Sequence, residues 1–109
     1  MEVAFLGYEQ AIAGLVQFLS GTPQYHEVAR ALDELRRKPQ LFKRLVDFKA
    51  AASAGQLSQQ QMESLGHEYQ QMTQVPELMR YFQASDEYAE VIGNVMNDIN
   101  ARLEKSVGL

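Results

Sequence analysis

The sequence predicts an all-α fold of four to five helices, an antiparallel helical bundle with a long C-terminal helix. Three observations carry that expectation. Gln, Glu, Ala, Leu, Met and Arg, all good helix formers, dominate a chain with only three prolines and seven glycines in 109 residues. Each apolar stretch repeats at helical rather than strand spacing and ends at a cap or a proline. From Pro76 to Lys105, Leu78, Phe82, Ser85, Ala89, Ile92, Met96, Ile99 and Leu103 follow at spacings of 4, 3, 4, 3, 4, 3 and 4, with only Ser85 polar. That is the seam of a helix built to lie along another helix. Thirty helical residues rise about 45 Å. A compact domain of this length is only about 35 Å across, so such a rod overhangs its own globule.

The first helix is expected from Val3 to Leu19, ending at Ser20-Gly21. Its polar positions form only a narrow stripe, and a helix apolar around most of its circumference needs burial on more than one side. Two readings stand together: a central core helix, or a helix shared with a second subunit. Thr22-Pro23 restarts the chain, with Thr22 as N-cap and Pro23 at the first helical position. The second helix presents Tyr25, Val28, Leu32 and Leu35 on one face, and Lys38-Pro39 interrupts it because the residue before a proline avoids the α region.

The third helix carries Leu41, Leu45, Phe48 and Ala52 in register, widened by Phe42 and Val46, and runs out at Ala54-Gly55. The fourth has the best-marked start. Ser58 and Gln61 have capping-box spacing, and Leu57 can staple onto Met62 across the cap. Its stripe is Met62, Leu65, Tyr69 and Met72, and Val75-Pro76 closes it and opens the long last helix. With short connections and no linker, residues 1–109 read as a single domain.

Composition removes several function classes. There is no cysteine, so disulfides, thiolate catalysis and cysteine-held metal or iron–sulfur sites are excluded. Glu2, Glu9, Gln10 and Gln17 interrupt the apolar N-terminal stretch, which also lacks a basic leader, so it fits neither a signal peptide nor a membrane span. A cytoplasmic setting is the expectation, with no cofactor, no metal and no membrane partner. Net charge is −4 but uneven: residues 30–49 carry +4 and the remainder −8. Arg36, Arg37, Lys38, Lys43 and Arg44 form a possible basic docking patch, either for an acidic protein or for RNA phosphates. Helix C-termini favour basic residues in any case, and no aromatic interleaving accompanies these charges, so the helix-end explanation outweighs nucleic acid.

Metal and catalytic patterns are incomplete. His67-Glu68 begins like a zincin motif, but Gln71 stands where the second histidine belongs. Glu63 and His67 are four residues apart rather than three, which suits a hydrogen bond on one helix face better than a di-iron site. His26 lacks an obvious catalytic partner and reads as a surface or capping residue. Asp86, Glu87, Glu90 and Asp98 have a spacing that all-α nucleotide pyrophosphohydrolases use for Mg²⁺. Glu87, Glu90 and Asp98 nevertheless fall off the seam, where a solvated acidic face is the simpler reading. Tyr81, Tyr88 and Val95 recur every seven residues beside the seam, in core packing or at an interface.

Several of these features occur together in a known family. Tyr25-His26-Glu27-Val28 leads through Ala31 and Leu35 to Pro39; Leu45-Val46-Asp47-Phe48 follows, then the Pro76-Glu77-Leu78 restart, then Val91-Ile92-Gly93 through Ile99 to Leu103. In these patterns the chain resembles, over nearly its whole length, the YlbF/YmcA (control-of-competence) family of small helical bacterial regulators. The resemblance implies an all-helical fold, self-association, no enzymatic activity and a regulatory role. It further implies protein complexes that influence competence, sporulation and biofilm formation and are linked to an mRNA-processing endoribonuclease. Some members hold an iron–sulfur cluster through cysteines, a property this cysteine-free chain cannot share.

The expectation is therefore a non-enzymatic regulatory or adaptor protein, a homodimer or higher oligomer that engages a larger protein partner. Phe5, Ile12, Phe82, Tyr88, Ile92, Met96, Ile99 and Leu103 are its candidate interface residues. RNA binding through residues 36–44 is the alternative, with a Mg²⁺-dependent nucleotide pyrophosphohydrolase behind it.

Overall fold

A computed structural model describes the backbone of residues 2–109 and the side chains of residues 7–109. Five helices account for it: α1 (Glu2–Ser20), α2 (Pro23–Arg36), α3 (Pro39–Ala52), α4 (Gln59–Met72) and α5 (Pro76–Ser106). No strand occurs among the described residues. The all-α prediction holds, and helix limits fall within a few residues of those expected.

Local chemistry sets the boundaries. Thr22 Oγ1 accepts from the Tyr25 amide at 3.2 Å, supplying a partner for one of the amides that a helix start leaves free. At α4 both halves of the capping box form: the Gln61 amide donates to Ser58 Oγ at 3.1 Å, and the Ser58 amide to Gln61 Oε1 at 2.8 Å. Met62 stays exposed, so the cap rests on these bonds rather than on a buried staple. Pro39 and Pro76 each open a helix, and Val75 before the second is extended, as a residue preceding proline must be. Gly108, at φ 88°, closes α5: it sits in the left-handed region where a side chain would be strained, and the Leu109 amide then reaches the Glu104 carbonyl at 2.9 Å.

The core lies at one end of the molecule. Ala31, Leu35, Leu45, Met72, Leu78 and Tyr81 are buried together, ringed by half-buried Val28, Leu32, Leu41, Phe42, Phe48, Val75 and Phe82. Each fully buried leucine contributes roughly 1.5–3 kcal/mol. α2 runs antiparallel to the first half of α5, because Lys38 meets Glu77, Glu34 meets Arg80 and Tyr25 meets Tyr88. α3 adds Lys49, whose ammonium donates to the buried Tyr81 hydroxyl and lies 5.0 Å from its ring centroid. Phe48, Tyr69 and Phe82 form an aromatic cluster between α3, α4 and α5, with Tyr69 and Phe82 centroids 4.9 Å apart.

α1 is not a central helix. All of residues 7–14 are exposed, and Leu15, Leu19 and Ser20 are half-buried where the chain turns into α2. The far end of α5 is equally bare, since every residue from Met96 to Leu109 is exposed. The outcome is an open assembly of 48 × 33 × 28 Å with a radius of gyration of 18.0 Å. A compact chain of this length would have about 13 Å.

Candidate functional site

The expected interface residues divide into two groups. Phe82 is occupied within the chain by the aromatic cluster, and Tyr88 meets the Tyr25 ring edge-on at 5.8 Å. Ile92 is half-buried, while Ile12, Met96, Ile99 and Leu103 are exposed. The Phe5 side chain lies outside the described residues.

On α5 the exposed set continues the buried stripe. Leu78, Tyr81 and Ala84 are covered at its start, and the same face carries Tyr88, Ile92, Met96, Ile99 and Leu103 onward. α2 is simply too short to cover all of it: fourteen residues rise about 21 Å against about 46 Å for the 31 of α5. The molecule accordingly exposes 8511 Å². A compact monomer of 12.3 kDa exposes about 6,100 Å², leaving an excess of about 2,400 Å². Single exposed apolar side chains are ordinary; here Met96, Ile99 and Leu103 are exposed in register along one helix face.

The basic segment is largely neutralised from within. Arg36 pairs with Asp33 at 3.1 Å and lies over the Phe42 ring at 5.7 Å; Lys38 pairs with Glu77 at 2.8 Å and Arg44 with Glu68 at 2.8 Å. Of the five cations, only Arg37 and Lys43 have no carboxylate partner among the described residues. The Lys38 ammonium donates to Glu77 and holds its carboxyl below the usual range, helped by a backbone hydrogen bond at Glu77 itself. The sequence signal of charge excess was correct, but two of its partners, Glu77 and Glu68, come from distant helices that local spacing cannot reveal.

The acidic candidates do not converge. Asp98 is engaged by Arg102 at 3.0 Å on its own helix, and Asp86, Glu87 and Glu90 are exposed. Glu63 accepts from Gln59 at 3.4 Å rather than facing His67. His26 is exposed beside the Tyr25 ring. Among the described residues no three His, Asp or Glu side chains come together as metal ligands. A mixed-charge groove between α2 and α5 is lined by Glu27, Arg30, Glu34, Arg80, Gln83 and Glu87, with Arg80 3.5 Å from Glu34. Its opposite charges largely cancel one another. No described helix is long and apolar enough to cross a membrane.

Of the two places open to Tyr81, core packing or an interface, it takes the core, where Lys49 from α3 satisfies its hydroxyl. Nothing in local spacing announces that pairing.

No curated protein and no solved structure matches the chain. One family model does, described as "Control of competence regulator ComK, YlbF/YmcA", and it spans residues 8–104. The match takes in both the α2–α5 core and the bare stripe beyond it, so the anatomy above is the anatomy of the region that defines the group: this chain belongs to the YlbF/YmcA family of control-of-competence regulators.

Proposed function

We propose that the protein is a non-enzymatic regulatory adaptor that works as a homo-oligomer through protein–protein contacts. The observation that carries this reading is the surface excess of about 2,400 Å², beside the exposed apolar side chains of α1 and of the end of α5. Obligate homodimer interfaces bury roughly 2,000–5,000 Å² in total, so an excess of this size on each copy is of the right order. The family match supports a role in the control of competence; the setting proposed with it is a cytoplasmic regulator that also bears on sporulation and biofilm formation, attached to complexes that process mRNA. In this reading the oligomer is a rigid helical platform and a larger protein is its partner.

RNA as the direct ligand has less support, because three of the five cations in residues 36–44 are already paired with carboxylates. The test joins two measurements. Light scattering at high micromolar concentration is expected to give at least twice the 12.3 kDa chain mass. Affinity capture from native cells followed by mass spectrometry is expected to return a protein that a Met96→Asp bait loses. A folded single-chain species under those conditions would sink the reading.

A further inference from the structure

We propose that α1 of one copy lies antiparallel along the exposed end of α5 in a second copy, which returns the same contact. The proposal rests on the oligomeric reading above and names the surfaces that meet.

The first argument is spacing. On α1, Tyr8, Ile12, Leu15 and Leu19 follow at 4, 3 and 4; on α5, Ile92, Met96, Ile99 and Leu103 follow at 4, 3 and 4. Each frame therefore spans twelve residues, about 17 Å, and two helices with the same heptad frame interlock as knobs into holes.

The second is that both frames are only partly covered in their own chain, with Leu15, Leu19 and Ile92 half-buried and the other five residues exposed. Tyr8 is 67% exposed and Leu103 60%, and the intervening Ile12, Met96 and Ile99 are exposed as well. A symmetric α5–α5 contact would hide one stripe and leave α1 in water. A reciprocal α1–α5 exchange hides both stripes with a single two-fold operation and forms a closed dimer. Its two equivalent contacts suit the excess of about 2,400 Å² per copy better than one α5–α5 seam.

The third is polarity. Antiparallel packing sets the positive N-terminal end of α1 beside the negative C-terminal end of α5. It also brings Glu9, the one charged residue of α1 whose side chain is described, to the end of α5 that carries Lys105 beside Glu104 and the Arg102–Asp98 pair. In this alignment Ile12 opposes Ile99, and Leu15 opposes Met96.

A chain without cysteine permits a clean test. Full-length Ile12→Cys and Ile99→Cys variants are prepared separately, mixed, equilibrated and treated with a short bismaleimide. The expected product is a covalent heterodimer in the mixture, in at least tenfold excess over linked dimer in either variant alone. Dominant linkage in Ile99→Cys alone would mean α5 pairs with α5, and dominant linkage in Ile12→Cys alone would mean α1 pairs with α1. Either overturns the exchange. A monomer-sized linked species from the Ile12→Cys/Ile99→Cys double variant, with no heterodimer from the mixed single variants, would place α1 on its own α5 and also overturn it. Light scattering on the same samples separates the two levels. An oligomer without the Ile12–Ile99 link defeats the exchange alone, whereas a monomer defeats the oligomeric reading with it.

Discussion

The Tyr25 ring meets the Tyr88 ring edge-on at 5.8 Å, close to the point where α2 stops covering α5. Toward the start of α5 from this contact the apolar stripe is buried; from Met96 onward it is bare. Side chains of one helix face thus serve two ends, one holding the chain folded and the other facing outward. Edge-to-face aromatic pairs contribute about 0.5–1.5 kcal/mol beyond the area they bury.

Leu35→Ala or Leu78→Ala should destabilise the protein by about 2–5 kcal/mol, since both leucines are fully buried and the cavity cannot close without moving α2 from α5. Urea denaturation followed by circular dichroism measures it. An effect under about 1 kcal/mol would mean the α2–α5 core collapses around the gap.

Met96→Asp should leave the folded chain nearly as stable and reduce its assembly. Met96 is 47% exposed in the single chain, so a carboxylate there stays in water until another surface arrives. Light scattering is expected to show a smaller species with unchanged helicity. Wild-type mass for this variant would take the end of α5 out of the interface.

Ser58→Ala should cost about 0.5–2 kcal/mol, because it leaves the Gln61 amide without its acceptor, while the bond from the residue 58 backbone amide to Gln61 Oε1 can remain. Ser58→Asp keeps an acceptor at the cap and should recover most of the loss. Equal destabilisation by both would point to crowding rather than to the lost hydrogen bond.

Glu77 sets an acid dependence of known sign. Its folded pKa is lowered from 4.5, first by the Lys38 hydrogen bond, so its contribution is present above 4.5 and is lost as pH falls through the lowered folded value. Glu77→Gln should therefore flatten the stability profile below pH 4.5 and change it little at neutral pH. Thermal melts of both proteins across that range provide the comparison. Parallel profiles would show that Lys38 and Glu77 do not couple in solution.

Helix limits were legible because their signals are local. Thr22-Pro23, Lys38-Pro39, Ser58 with Gln61, and Val75-Pro76 act within one turn of themselves, and all four appear where spacing puts them. Coverage was not legible. The seam from Leu78 to Leu103 keeps one period throughout, so periodicity cannot separate the half under α2 from the half beyond it. α1 misled in the same way: high apolarity says that a helix needs cover, and leaves open whether its own chain provides it. The basic stretch read as a docking patch because Glu68 and Glu77, which neutralise Arg44 and Lys38, lie 24 and 39 residues away.

The confinement of the core to α2, α3 and the neighbouring ends of α4 and α5 frees the two projecting arms from the task of keeping the molecule intact. Mutations can accumulate on those arms while the fold tolerates them, so any partner the arms engage could change first. Duplicated copies of such a chain would diverge in allegiance long before they diverged in architecture.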